Sequence, residues 1–185
     1  FNGAGSLLTS KSCLLNPNRN PTLNQGQIEQ RLHDYYGVEQ VLWVEAGIEG
    51  DDTDGHIDDT TRFVNEDTVV ACVESNPQDD NYAILQTNLR MLKQMRLVNG
   101  KQLNVIEIPM PKAVVIDGFR APGSYVNFLI TNAGVITPIF NNPHDQVAID
   151  ILEKAFPAKK VIPLDASEII WGQGSFHCLS QQEPI

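Results

Sequence analysis

The order of predicted elements repeats along the chain, and this repetition constrains the fold more than any single motif. Each unit contains two β-strands joined by a polar turn, then an amphipathic helix and a closing strand. The order recurs with a period of about 55 to 70 residues. One such unit cannot bury both faces of its own sheet, so we expect the units to stack or to circle a common axis.

The sequence predicts three units and the beginning of a fourth. Their boundaries are about residues 1–44, 55–110, 123–165 and 174–185. Strand pairs are predicted at residues 6–16, 57–73 and 125–140, helices at 24–36, 81–97 and 142–156, and closing strands at 38–44, 103–108 and 161–164. An ordinary α+β domain without true repeats is the alternative.

Local chemistry marks some of the helix boundaries. Asn24 and Gln27 have the spacing of a capping box, and Gly37 is a residue type that commonly ends a helix. In the third unit, Pro157 is expected to stop the helix.

The charge balance limits the kinds of partner that the chain can bind. It has 185 residues with 23 acidic and 13 basic side chains, for a formal net charge of −10. Such a surface repels a phosphate backbone and suits a small cationic ligand. No apolar run approaches the roughly 20 residues of a membrane span. We therefore expect neither a nucleic acid nor a membrane as partner, and the oligomeric state stays open.

The cysteines and histidines show no spacing typical of a disulfide scaffold or a metal site. Cys13, Cys72 and Cys178 are few and scattered, which predicts free thiols in a reducing, cytoplasmic compartment. Cys13 and Cys72 lie in apolar runs and are expected to be buried. Neither C-x-x-C nor H-E-x-x-H occurs, and we expect no metal and no cofactor.

The sequence begins at Phe1, and residues 1–5 are typical of the tip of a hairpin. We therefore expect these residues to be the C-terminal part of a longer protein. Because the N-terminal part would then precede Phe1, the presence of a targeting signal stays open.

An acidic segment is the first candidate site. Residues 51–59 contain five aspartates and one histidine, without the glycine and glutamate positions of an EF-hand loop. If this segment enters a strand, His56 and Asp58 point to the same side. Carboxylates on such a face suit a planar cation, because they accept paired N–H bonds from a guanidinium. A solvated acidic loop remains the alternative.

The second candidate is Cys178. It follows Gly172 and Gly174, and glycines allow a backbone to approach a ligand closely. A cysteine and a histidine with an acid form a common set for covalent catalysis. If the units circle an axis, the segments at which the units begin all lie near that axis. His56 and Cys178 would then lie close together. His177 would point to the opposite face of a strand, so we expect it to pack rather than to react.

Four motifs resemble the family of agmatine deiminases and bacterial peptidylarginine deiminases, which belongs to the guanidino-group-modifying (pentein) superfamily. They are Leu-Leu-Asn-Pro-Asn-Arg-Asn-Pro at 14–21, Gly-His-Ile-Asp-Asp at 55–59, Tyr-Val-Asn-Phe at 125–128 and Gly-Ser-Phe-His-Cys-Leu-Ser-Gln-Gln at 174–182. The resemblance implies a five-bladed α/β propeller of strand–strand–helix–strand units. This chain would then hold an incomplete ring of about three units and the start of a fourth.

The resemblance also implies roles for individual residues. Cys178 matches the nucleophile of the family, His56 the general acid and base, and Asp58 a carboxylate that holds the guanidinium. A catalytic glutamate and a substrate-binding aspartate of the family would lie upstream of Phe1, so the isolated chain is expected to be inactive or weak. Gln173 stands where the family commonly has the middle glycine of Gly-Gly-Gly.

The expected function is that of a hydrolase acting on linear amidines. Agmatine would give N-carbamoylputrescine and ammonia, a step of putrescine and polyamine metabolism, with arginine and peptidyl-arginine as other substrates. A non-catalytic propeller that binds a partner, and an amidinotransferase, are the alternative functions. The sequence leaves open whether the pocket or the bound cation lowers the pKa of Cys178.

Overall fold

The computed structural model describes residues 1–183, so Pro184 and Ile185 of the predicted fourth unit lie outside the described residues. The fold is α/β. The strands are β1 (Ser6–Ser10), β2 (Gln40–Val44), β3 (Thr61–Phe63), β4 (Thr68–Val73), β5 (Asn104–Pro109), β6 (Val114–Ile116), β7 (Phe119–Ala121), β8 (Leu129–Ile130), β9 (Gly134–Ile139) and β10 (Lys160–Asp165). The helices are α1 (Lys11–Leu14), α2 (Gln25–Tyr36), α3 (Asn81–Leu92) and α4 (Asp145–Ala155), and turns of 3-10 helix cover Ile57–Asp59 and Ile169–Gly172.

Two three-stranded sheets share one topology. In the first, β3 pairs antiparallel with β4, and β4 pairs parallel with β5 after the crossover through α3. In the second, β8, β9, α4 and β10 repeat the same order and the same pairings. Strands β1 and β2 pair parallel on either side of α2. Parallel neighbours need such a crossover, which explains why each helix stands between two apolar strands.

Strand β4 lies between two hydrophobic cores. Val70 and Cys72 face the larger core, which includes Leu85, Phe128 and Leu152. The alternate residues Val69 and Ala71 face a smaller core with Leu8, Val44 and Leu92. A strand that is buried on both faces needs apolar side chains in both directions, which accounts for the continuous apolar run at this position.

The predicted boundaries of helix α2 are confirmed. Asn24 Oδ1 accepts a hydrogen bond from the Gln27 amide at 3.0 Å, and Gln27 Oε1 accepts one from the Asn24 amide at 2.9 Å. Gly37 follows the helix with a φ of 66°, a left-handed conformation that costs glycine little.

The strand pair predicted at residues 6–16 is wrong. Only β1 forms, and the chain then turns into α1. Ser10 caps this short helix, since its hydroxyl accepts a hydrogen bond from the Cys13 amide at 3.4 Å. The same hydroxyl donates to the carbonyl of Gly55, a residue that local sequence cannot connect to Ser10.

Two other predicted strands are shorter than expected or absent. Residues 125–128 form a turn, in which the Asn127 amide donates to the Ser124 carbonyl at 3.3 Å, and the strand is limited to Leu129–Ile130. Residues 175–179 form one helical turn, closed by a 3.0 Å hydrogen bond from the Leu179 amide to the Ser175 carbonyl. The second segment lines the cavity described below, and Asn127 of the first forms hydrogen bonds with it.

The hairpin of β6 and β7 was not predicted. Its turn residues Asp117 and Gly118 have φ values of 49° and 83°. An Asp-Gly pair in this conformation is a common two-residue hairpin turn, so the sequence contained a signal for this hairpin. Separately, none of the helices within residues 1–183 is long and apolar enough to cross a membrane.

We predict that Leu152→Ala destabilises the fold far more than Leu164→Ala. Leu152 of α4 is 0 % exposed, whereas Leu164 of β10 is 45 % exposed. Truncating a buried leucine leaves a cavity and costs about 2–5 kcal/mol, and an exposed leucine costs about 0.5 kcal/mol or less. Urea unfolding of the two variants measures the difference, and equal losses would contradict this assignment of the core.

Candidate active site

The candidate residues His56, Asp58 and Cys178 line one cavity of about 590 Å³, which we call the acidic cavity. Its wall is formed by Asp52, Thr53, His56, Ile57, Asp58, Gly172, Gln173, His177, Cys178, Leu179 and Ser180. This wall contains two carboxylates and, within the described part of the chain, neither lysine nor arginine. The cavity therefore favours a cationic ligand.

Residues 51–56 form an ordered loop rather than a solvated acidic segment. Asp51 accepts hydrogen bonds from the backbone amides of Thr53 and His56, both at 2.8 Å. Gly55 has a φ of +89°, and a Cβ at this position would lie 2.6 Å from the amide nitrogen of Gly47. Only glycine fits this close backbone contact, which fixes the position of His56.

The strand predicted to carry His56 and Asp58 is a 3-10 turn instead. His56 is its N-cap, and Ile57–Asp59 form the turn. Asp58 still faces the acidic cavity, whereas Asp59 points into the protein and is only 1 % exposed. The ring of His56 accepts or donates no hydrogen bond within residues 1–183, which leaves it open to the cavity.

One oxygen of Asp58 receives several donors. Oδ2 lies 2.6 Å from His177 Nδ1, 3.2 Å from Cys178 Sγ and 3.2 Å from Asn127 Nδ2. Burial alone raises the pKa of this carboxyl, but the hydrogen bonds from His177 and Cys178 outweigh it and lower the pKa to about 2. Asp58 is therefore a carboxylate at neutral pH.

The side chain of Asn127 joins the two halves of the site. It is completely buried. Its Nδ2 donates to Asp59 Oδ1 at 2.8 Å and to Cys178 Sγ at 3.0 Å. Its Oδ1 accepts the backbone amides of Ser175, His177 and Cys178 at 3.1, 3.2 and 3.3 Å. One amide group thus holds the turn that carries the sulfur against the turn that carries the aspartates.

The thiol of Cys178 lies in a negative environment. Partial burial, and then the charges of Asp59 and Asp58, raise its pKa to about 12. At neutral pH the sulfur is therefore protonated and donates to Asp58. A Cβ at Gly174 would lie 2.9 Å from Cys178 Sγ, so glycine is required beside the thiol.

Gln173 occupies a conformation that favours glycine. Its φ is 67°, and its side-chain oxygen is buried without a hydrogen-bond partner among the described residues. Both features cost free energy at a position where the resemblance predicts glycine. Gln173 nevertheless lines the acidic cavity.

A buried cation lies behind the aspartates. The Arg62 guanidinium stacks 4.5 Å from the centre of the Phe128 ring and donates to the Phe128 carbonyl. Burial lowers its pKa to about 10, so it stays charged at neutral pH. Burial, followed by the charges of Asp58 and Asp51, raises the pKa of Asp59 well above its ordinary value.

Asp59, Asn127 and His177 also contact the candidate residues, although they were not predicted as site residues. Asp59 lies in the acidic segment and Asn127 in the Tyr-Val-Asn-Phe motif, so the sequence held a signal for both. The expectation that His177 only packs is wrong, because its ring bonds to Asp58. The error follows from assuming a strand at a helical turn.

The other cysteines behave as expected. Cys13 and Cys72 are 6 % and 2 % exposed, and all three thiols are free. Potential metal ligands of Asp58, Asp59 and Cys178 lie within 4.8 Å of one another. Within this trio the thiol of Cys178 donates a hydrogen bond to Asp58.

The sequence pattern of the Porphyromonas-type peptidyl-arginine deiminase family matches residues 1–184. The chain belongs to this family. The resemblance inferred from the four motifs is thereby confirmed. The match covers the acidic segment, the Asn127 turn and the Cys178 turn.

Several known proteins are similar to this family member. An agmatine deiminase of Pseudomonas aeruginosa is 38 % identical over 200 residues, covering 98 % of this chain and 54 % of that protein. The structure of an Enterococcus faecalis agmatine deiminase has a TM-score of 0.95 at 33 % identity, covering 100 % of this chain and 55 % of the other. The structure of a C. jejuni agmatine deiminase with substrate bound has a TM-score of 0.89 at 37 % identity, covering 96 % and 52 %. The chain spans about half the length of the curated relatives it matches.

We predict that a neutral alkylating reagent labels Cys178 ever faster as the pH rises from 7 to 10. A pKa of about 12 means that the thiolate fraction grows about tenfold for each pH unit in this range. Iodoacetamide labelling, followed by mass spectrometry of the peptide, measures the rate. The same cysteine in urea is the control, and its rate should level off near pH 9. A plateau below pH 9 in the folded protein would contradict the raised pKa.

Proposed function

We propose that the protein is a hydrolase that deiminates the guanidino group of a small cationic substrate, agmatine in the first place. The observation that carries this proposal is the Asp58 carboxylate, whose Oδ2 lies 3.2 Å from Cys178 Sγ, on a cavity wall shared with His56. A planar cation between carboxylates and a sulfur nucleophile is the arrangement that this chemistry needs.

Binding of the substrate is favoured by charge. Asp58 is ionised at neutral pH, and its Oδ2 already receives donors from the protein. The other oxygen, Oδ1, is then available to accept an N–H of the guanidinium. The carboxylates orient the cation and place its central carbon next to the sulfur of Cys178, so that binding also prepares the attack.

The raised pKa of Cys178 supports activation by the substrate rather than by the free pocket. The negative surroundings that keep the thiol protonated are neutralised when a guanidinium enters. Loss of the thiol proton then becomes more favourable at the moment when the electrophile is in place. The sequence alone did not decide whether the pocket or the bound cation lowers the pKa of Cys178.

The reaction proceeds through a covalent intermediate. The thiol proton of Cys178 passes to His56, and the thiolate forms a bond to the guanidinium carbon while the C=N π electrons move to nitrogen. His56 then gives this proton to one amino group of the tetrahedral adduct, the C–N bond breaks, ammonia leaves, and a thiouronium remains on the sulfur. His56 next takes a proton from water, and the hydroxide adds to the same carbon. The C–S bond breaks, the hydroxyl proton leaves with ammonia as ammonium, and the ureido product is released while His56 returns its proton to the sulfur.

The residues that line the acidic cavity favour agmatine over arginine as the substrate. An arginine or a terminal carboxylate would need a cationic partner, and the wall of the acidic cavity within residues 1–183 supplies neither lysine nor arginine. Agmatine ends in an ammonium and needs no such partner. Similarity to the agmatine deiminases of P. aeruginosa and E. faecalis also supports agmatine as a substrate.

We also infer that the repeated units are blades of an α/β propeller. The shared topology of the sheets β3–β4–β5 and β8–β9–β10 supports this arrangement. The units would be residues 1–44, 55–110 and 123–165, with a fourth beginning at 174. In such a ring the loops that open each unit meet near the axis, which agrees with the contacts between Asp58, Asn127 and Cys178.

A colour assay for ureido products tests the reaction. We expect the whole protein to convert agmatine with a higher kcat/KM than arginine or an arginine peptide, and Cys178→Ala to lose all turnover. Cys13→Ala, which removes a buried thiol that is not part of the cavity wall, is the control and should keep turnover. Full activity of Cys178→Ala would contradict the mechanism, and a new guanidine in place of ammonia would indicate an amidinotransferase.

We further predict that 2-chloroacetamidine labels Cys178 in preference to Cys13 and Cys72. The amidine is a planar cation that the aspartates can hold beside the sulfur, whereas the other two thiols are buried. Peptide mapping after brief exposure measures the three labelling rates. Equal rates at the three cysteines would favour a non-catalytic binding module.

A further inference from the structure

The contact between His177 and Asp58 is the shortest hydrogen bond to either aspartate of the acidic cavity. His177 Nδ1 lies 2.6 Å from Asp58 Oδ2, and the two side chains are 28 % and 13 % exposed. Because Asp58 is a carboxylate, Nδ1 is the nitrogen that carries the proton and donates. A partly buried hydrogen bond to a charged acceptor is stronger than a neutral one.

The backbone of His177 does not depend on this contact. Its amide donates to Asn127 Oδ1 at 3.2 Å, and its carbonyl accepts the amide and hydroxyl of Ser180 at 3.0 and 2.8 Å. The turn is therefore held by Asn127 and Ser180. The imidazole is free for a task other than supporting the fold.

The donors around Asp58 select one of its two oxygens. His177, Cys178 and Asn127 all bond to Oδ2, and no other described residue donates to Oδ1. Donors on a single oxygen fix the rotation of the carboxylate. Oδ1 is then directed by the protein and remains open to a cationic N–H.

The three donors are not equivalent once the thiol ionises. Cys178 then carries no proton to donate, and its negative charge repels Asp58. Asn127 Nδ2 is shared among Asp58, Asp59 and Cys178. The donor that remains committed to Asp58 is Nδ1–H of His177.

We propose that His177 is a positioning residue, whose Nδ1–H holds Asp58 Oδ2 so that Oδ1 meets the guanidinium of the substrate. The inference rests on the proposed deiminase function of the cavity. It assigns to the residue before the nucleophile a role separate from that of His56, since the Nδ1 proton of His177 is committed to Asp58.

Two alkylating reagents of nearly equal size test the inference. 2-Chloroacetamidine is a planar cation that needs Asp58, whereas 2-chloroacetamide is neutral and reports only on the access and ionisation of Cys178. The ratio of their labelling rates therefore measures how well the carboxylate is placed. We expect His177→Ala to lower this ratio about tenfold or more in the whole protein, and His177→Asn, whose amide can donate from near the Nδ1 position, to restore it to within about threefold.

The controls separate positioning from folding. His177→Phe fills similar space without a donor and replaces His177→Ala if that variant unfolds. His33→Asn changes an exposed histidine of α2 and should leave the ratio unchanged. Thermal unfolding of each variant shows whether the fold is retained.

The opposing outcomes are distinct. An unchanged ratio in His177→Ala and His177→Phe overturns the positioning role, and so does an equal loss in the alanine and asparagine variants, which would indicate packing. Absence of any amidine preference in the unmodified protein would instead refute the proposed function, and the inference with it.

Discussion

The hydrogen bonds of one buried amide, that of Asn127, determine the geometry of the acidic cavity. Through Nδ2 it contacts the 3-10 turn that carries the aspartates, and through Oδ1 it holds three backbone amides of the Cys178 turn. These segments are short and come from distant parts of the chain. Neither is held by the hydrogen bonds of a β-sheet. Without this amide, buried Asp59 and the backbone amides of residues 175 and 178 would lose these partners, and each buried unpaired group costs about 1–3 kcal/mol.

The charges of the acidic cavity are mainly negative. Asp58 is held as a carboxylate and Cys178 as a thiol, and burial, followed by the charges of Asp58 and Asp51, raises the pKa of Asp59. The buried cation Arg62 interacts electrostatically with them, and it is engaged with Phe128. In the mechanism that we propose, a cationic ligand relieves this repulsion and favours loss of the thiol proton, so the site becomes reactive when it is occupied.

The sequence predicted what depends on local chemistry and periodicity. The capping box of α2, the burial of Cys13 and Cys72 and the turn between β3 and β4 follow from neighbouring residues, as does the order of the elements in the two three-stranded units. It did not predict the 3-10 turn at Ile57–Asp59 or the helical turn at Cys178. Both depend on side chains that act across the chain, such as Ser10 on Gly55 and Asn127 on Ser175. The contact of His177 with Asp58 was missed for that reason, since a strand would have turned the side chain away from Asp58.

The position of the site within the repeat has a physical reason. Asp58 precedes β3 and Asn127 precedes β8, so both lie in the segment that enters the first strand of a unit. Residues within a strand have their amides and carbonyls committed to neighbouring strands, whereas entry segments have unpaired groups that must find partners elsewhere. Where two such segments lie side by side, as here, they satisfy each other through side chains like Asn127. The repetition therefore yields polar entry segments that contact one another, and the chemistry of each position can vary without disturbing the sheets behind it.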